Sequence, residues 1–166
     1  MLPKYRSSVW PVMPEILGML RNADWPRIPE IKSKVDVKFG AINSIPGGEA
    51  VVLHGSTKRA TQTVETAGTP GKNDDVDATL AVFVNIPGFS AERTWGRLAE
   101  LANAVDMTFR DLNTGKPILS KGMEDAGVWW LWASAIETEV VPMDGNAGSA
   151  GWLGMCMFTL TWRARI

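Results

Sequence analysis

Asp77-Ala78-Thr79-Leu80-Ala81-Val82-Phe83-Val84-Asn85-Ile86, then Pro87-Gly88-Phe89-Ser90, then Ala91 to Leu112, is the stretch on which the fold turns. Ala78, Leu80, Val82, Val84 and Ile86 recur at every second position, the period of a strand with one buried side. Pro87-Gly88 breaks the strand, and Ser90 is a good N-cap for the next segment. Beyond it Trp95, Leu98, Ala102, Val105 and Phe109 recur at spacings of three and four, which predicts the buried stripe of a long helix. Arg93, Arg97, Glu100, Asn103, Asp106 and Arg110 take its other side. The middle of the chain is therefore a strand followed by a long helix laid on a sheet, and this stretch carries no chemistry of its own.

Upstream, a short helix is expected between Val12 and Asn22, with Pro14 early in it and Ile16, Leu17 and Leu20 on one side. Asp24-Trp25-Pro26-Arg27-Ile28-Pro29 ends it in an extended, proline-stiffened linker. Val35, Val37 and Phe39 alternate with Lys34, Asp36 and Lys38 as a half-exposed strand. Gly40 and Pro46-Gly47-Gly48 bracket a turn, and Glu49 to His54 reads as a second short strand. Lys58 to Thr66 is polar but rich in β-branched residues. It pairs most simply with Asp77 to Ile86 as an antiparallel hairpin, joined by a long polar connection over residues 67–76. Downstream, Asn113-Thr114-Gly115-Lys116-Pro117 closes the long helix, and Ile118 to Val128 is ambiguous. Leu131 to Val141 and Trp152 to Arg165 read as strands joined by a second long, glycine-rich loop, 142–151. In the last strand Trp152, Cys156, Phe158, Leu160, Trp162 and Ala164 share a face, and Thr159, Thr161, Arg163 and Arg165 the other. The fold class is α+β: a single domain spanning 1–166, a mostly antiparallel sheet with a long hairpin, one long helix and a short N-terminal helix. Residues 1–10 are read as a flexible arm.

Composition narrows the function classes. A chain of 166 residues can bury a real core. Its 17 Lys+Arg nearly cancel 18 Asp+Glu, unlike a protein that binds nucleic acid by net charge. The single cysteine, Cys156, excludes an intrachain disulfide and sits in an apolar run as a small buried hydrophobe. No apolar run approaches the roughly 18 residues needed to span a bilayer, and Met1 to Arg6 lacks the apolar core of a signal peptide. The expected setting is a reducing cytoplasm, at least until assembly. Tryptophan is the outlier: eight copies against one tyrosine, five of them (Trp129, Trp130, Trp132, Trp152, Trp162) in the last 38 residues. Large rigid aromatics are enriched in interface cores as well as in domain cores.

Tests for chemistry come out negative. Gly68-Thr69-Pro70-Gly71-Lys72-Asn73 has a Gly-Lys pair, but Thr66 stands where a phosphate loop needs its first glycine and Asn73 where it needs Ser or Thr. Asp74, Asp75 and Asp77 lack calcium-loop spacing and a closing glutamate, and read as a solvated loop tip. His54-Gly55-Ser56 puts a base near a hydroxyl, but neighbours on an extended chain point apart. Glu137 and Glu139 share a strand face; paired carboxylates can do acid–base work, but these read as a solvated surface. Lys58-Arg59, with Lys72 facing, reads as a basic patch or as an edge strand protected by charge. Trp129-Trp130-Leu131-Trp132 is different. Adjacent strand residues point to opposite faces, so at least one of Trp129 and Trp130 needs cover from another segment or another subunit. No catalytic residue, cofactor or metal ligand is assigned.

The layout from Val12 to Asn22, the hairpin Lys58 to Ile86, the turn Ile86 to Arg93, the helix to Leu112 and the closing strand Met155 to Arg165 resembles the tail terminator (tail-completion) proteins of long-tailed bacteriophages. The likeness is one of arrangement over most of the chain. Trp129 to Trp132 and the loop 142–151 do not map onto it. The resemblance implies a structural protein. Such proteins form a homohexameric ring that caps the tail tube, stops its polymerisation and meets the head-completion protein. DNA passes transiently through the lumen, and no membrane is involved. The implied location is the tail or neck of the virion, after assembly in the host cytoplasm. Near-neutral charge suits a channel through which DNA slides, since phosphate neutralisation drives nonspecific affinity. A ring needs head-to-tail contacts that close. The candidate subunit interface is Lys58, Arg59, Lys72, Asp74, Asp75, Arg93, Trp129 and Trp130, with Lys72, Asp74 and Asp75 of one copy meeting Lys58, Arg59 or Arg93 of the next. The competing readings are a head-completion or connector protein, a tail-tube subunit, a small enzyme built around His54, Glu137 and Glu139, and a monomeric binding module.

Overall fold

The computed structural model describes residues 7–32, 34–41, 47–66, 69–143 and 151–166. Over these the chain forms α1 (Val9–Arg21), β1 (Asp36–Phe39), β2 (Gly48–Thr66), β3 (Thr69–Asn85), α2 (Ala91–Phe109), α3 (Lys121–Asp125), β4 (Val128–Pro142) and β5 (Trp152–Arg165). The strands make one mixed sheet in the order β1-β2-β3-β5-β4. Only β1–β2 is parallel; the other three pairings are antiparallel. The class is α+β, with all the described helices on one side of the sheet.

The hairpin is longer than its hydrophobic pattern suggests. β2 and β3 pair from Gly48 opposite Asn85 to Thr66 opposite Thr69, broken by one irregularity between Leu53 and Thr57. The two short strands expected at Glu49–His54 and Lys58–Thr66 are thus one strand with a bulge at Gly55-Ser56. The ten-residue connection expected at 67–76 is corrected as well, since Thr69 onward belongs to β3. Its polar residues sit in a ladder because each finds a partner: Asn73 to Asp77 pair with Arg165 to Thr161 of β5.

One face of the sheet meets the helices. Val51, Leu53, Val76, Ala78, Leu80, Val82 and Val84 from the hairpin join Leu131, Cys156, Phe158, Leu160 and Trp162. Val12, Ile16 and Leu20 of α1, Leu98, Leu101, Val105 and Phe109 of α2, and Met123 of α3 close that core. Burying an aliphatic or aromatic side chain contributes about 1.5–3 kcal/mol, so this face holds the domain together. The opposite face carries a smaller cluster, Ala50, Val52, Ala81 and Phe83, flanked by Leu153, Met155 and Met157.

The stripe of α2 is rotated from the expected one. Thr94, Leu98, Leu101, Val105 and Phe109 are buried, whereas Trp95 is 52 % exposed. The helix begins close against β5: a Cβ on Gly154 would lie 3.0 Å from Thr94 Cγ2. Only a small residue fits between helix and strand there, so threonine faces the sheet and tryptophan turns out. Ser90 caps the helix, accepting from Arg93 N–H at 3.1 Å.

The N-terminal helix starts at Val9, three residues earlier than expected, because Pro11 falls in its first turn, where no N–H partner is needed. Residues 7–10 are therefore not an arm: Ser7 and Ser8 are buried. Residues 1–6 of that expected arm, and 144–150 of the expected glycine-rich loop, lie outside the described residues. The ambiguous segment before β4 contains α3, capped by Ser120, which accepts from Met123 N–H at 3.2 Å.

Candidate subunit interface

Asp74, expected at a solvated loop tip, is fully buried. It lies at the inner face of the hairpin, where the first turn of α1 comes down on β3. Its Oδ2 accepts from the Ser8 backbone N–H and from Ser8 Oγ, both at 2.8 Å. Its Oδ1 accepts from Arg59 Nε and from Thr61 Oγ1, the latter at 3.2 Å. Ser8 Oγ in turn accepts from Trp162 Nε1 at 2.9 Å. Burial pushes the Asp74 carboxyl up, but the two Ser8 bonds and the Arg59 guanidinium outweigh it and hold it below the ordinary range. Two of the residues proposed to join neighbouring subunits, Asp74 and Arg59, are thus joined within one chain.

The outer face carries the alternate residues. Lys58 lies opposite Asp77, and Asp77 accepts from Thr161 Oγ1 at 2.6 Å. Asp75 faces Arg163 at 3.5 Å. Lys58, Asp75, Asp77, Thr161 and Arg163 surround a shallow depression of about 330 Å3. Lys72 is exposed near the hairpin's end, and its backbone exchanges hydrogen bonds with Ile166. Arg93 lies elsewhere, at the start of α2, with Glu30 as ion partner and its guanidinium 4.1 Å from the Phe89 ring. The hairpin residues and Arg93 are not gathered into one patch.

Strict alternation fails at the tryptophans. A bulge between Val128 and Trp130 makes Trp129 an extra residue in β4, and bulges re-aim side chains. Both rings then approach one cation: Arg163 Cζ lies 6.0 Å from Trp129 and 5.3 Å from Trp130. Trp130 also stacks on Trp132, with centroids 6.4 Å apart, and Arg110 lies 5.0 Å from Trp132. Trp130 is therefore half-covered from within, while Trp129 stays 53 % exposed. Further along β4, Ile136 is 62 % exposed at a second bulge, beside exposed Glu137.

Sequence reasoning missed a buried ion pair. Arg97, expected on the solvated side of α2, is buried with Glu49 of β2. Its Nε and Nη2 both donate to that carboxylate, the second at 2.8 Å to Oε1. Nη1 donates to Glu100 at 2.7 Å and Nη2 to the Pro26 carbonyl. The Glu49 bonds, against the opposing effect of burial, raise the guanidinium above its ordinary value. The pair ties α2, β2 and the proline linker together beside a cavity of about 150 Å3. Glu49 follows the glycines that open a strand, and only that placement hinted at anything but solvent.

The residues of the enzyme reading are not brought together. His54 Nδ1 accepts from the Ser56 backbone N–H at 3.2 Å. Glu137 stands on β4, separated from β2 by β3 and β5, about 14 Å at three strand spacings. Among the described residues no three His, Cys, Asp or Glu side chains gather as a metal site, and no helix is long and apolar enough to cross a membrane. Burial raises the Cys156 thiol, with Thr138 Oγ1 3.3 Å away. No family model matches the chain, and no curated protein matches it in sequence.

Proposed function

We propose that the chain is a structural virion protein of the tail terminator kind: copies close into a ring that caps the tail tube, stops its growth and presents a surface to the head-completion protein. The observation that carries this reading is the layout. A long β2–β3 hairpin leads into α2, and a final antiparallel pair, β5–β4, completes the sheet. This is the order the resemblance calls for. A second observation favours self-assembly over a monomeric module: Trp129 keeps half its surface outside the chain that carries it. DNA crosses the lumen transiently, and the setting is the virion neck, reached from the host cytoplasm.

The test is native mass of the purified protein together with negative-stain images. The reading expects a closed ring of about six copies, alone or once tail tubes are supplied. Open filaments of the protein itself would identify a tube subunit instead. A chain that stays monomeric and ignores tail tubes would refute the reading.

A further inference from the structure

The sheet leaves two edges open, and they are unlike. β1 covers the outer side of β2 only from Ala50 to Leu53. Among the described residues no strand pairs with the outer side of Thr57 to Thr66, or with the outer side of β4. An unpaired edge of this length is a template for another strand. The β2 edge begins Thr57-Lys58-Arg59, with Lys58 exposed. β4 has no Lys or Arg between Val128 and Pro142 and carries Glu137 and Glu139. Like edges joined in register about Lys58 or about Glu137 would oppose like charges, which is destabilising. Joining unlike edges sets opposite charges, Lys58 and Glu137, across the seam.

Geometry agrees with charge. β2 and β4 run in opposite directions, because three antiparallel pairings separate them. A second copy placed side by side therefore offers its β4 antiparallel to this β2. Within one chain Lys58 is level with Trp132, through Asp77 and Thr161. β1 blocks that level register, so the neighbour's β4 must slide toward the hairpin tip. A slide of about five residues, roughly 16 Å, brings Glu137 opposite Lys58. Both side chains project from the face away from the helices, since they alternate with Val76 and Ala78 on one side and Cys156 and Phe158 on the other. The same slide sets Val140, on the helix side of β4, beside an apolar groove of about 320 Å3 lined by Trp10, Met13, Phe39, Gly55 and Thr57. Trp10 is 79 % and Phe39 54 % exposed there. A stagger between neighbouring strands is what closing tilted strands into a ring requires.

We propose that the ring contact is a strand-to-strand join in which β4 of one copy extends the sheet of the next along β2 from Thr57, with Glu137 against Lys58. This rests on the self-assembling reading above and names its surface. The contact is head-to-tail, as a closed ring demands.

Single-cysteine pairs test it, with buried Cys156 left in place. Lys58→Cys protein and Glu137→Cys protein are mixed and treated with a short bis-maleimide, and native mass is recorded on the same samples. The expected result is a crosslinked dimer in the mixture and none in either protein alone. A chain carrying both changes should give a ladder ending at the ring. Independently, E137K/E139K should weaken assembly at least about tenfold, and adding K58E to that chain should restore it. A ring that forms without 58–137 crosslinks, or with 58–58 or 137–137 links, overturns the strand join and leaves the ring reading standing. Failure of the wild-type chain to self-associate, alone or on tail tubes, overturns both.

Discussion

Asp74 concentrates the physics of the hairpin in one carboxylate. Four donors converge on this buried carboxylate, so truncation leaves the buried Ser8 N–H and hydroxyl without their acceptor. Asp74→Ala should cost about 3 kcal/mol, read by urea unfolding. Its folded pKa is depressed, so its stabilisation is fully present above the unfolded value near 3.9. That stabilisation is lost as pH falls through the folded value. Thermal unfolding of the wild type should thus decline below about pH 4, and Asp74→Asn should lower neutral stability while flattening that decline. Arg97 and Glu49 form a second buried pair. Removing one partner, as in Glu49→Gln or Arg97→Met, should cost about 3–5 kcal/mol, and replacing both with apolar residues should recover part of the loss. A double-mutant cycle in urea reads it; additive losses would contradict a coupled pair. Neither group was legible in the sequence. A local pattern places Asp74 among polar neighbours and Arg97 on a polar stripe, and their partners stand 66 and 48 residues away.

Periodicity served well where an element has one wet and one dry side. The alternation from Ala78 to Val84 placed a buried strand face, and the spacing from Leu98 to Phe109 placed a helix on it. It failed where packing overrides pattern. The spacing that ends on Leu98, Val105 and Phe109 puts Trp95 on the buried stripe, but Gly154 brings β5 too close for anything larger than Thr94. Gly154→Val should therefore push α2 off the sheet at a cost of about 1–3 kcal/mol, read by thermal unfolding; an unchanged midpoint would show that the helix end yields freely. The connection 67–76 was misread for a related reason. Loops are polar because their backbone faces water, yet Asp74, Asp75 and Asp77 are polar in a strand whose partners are Ser8, Arg163 and Thr161.

At the scale of the whole molecule, the order of elements was legible and the arrangement of the candidate interface was not. Sequence reasoning put Lys72, Asp74 and Asp75 opposite Lys58, Arg59 or Arg93 of another copy; Asp74 and Arg59 meet inside one chain, and Asp75 meets Arg163. Of the two candidate tryptophans, Trp129 keeps its surface, because a bulge sets it outside the alternation that covers Trp130. Trp129→Ser should leave the free energy of unfolding within about 0.5 kcal/mol of wild type while weakening self-association, checked by sedimentation at matched concentrations. We propose that the protein ends a tube. The most direct measurement is the length distribution of tail tubes grown from their own subunit in electron micrographs, with and without this protein added. Added protein should sit at one tube end and halt elongation there. Tubes that lengthen equally in both conditions, with bare ends, would contradict it.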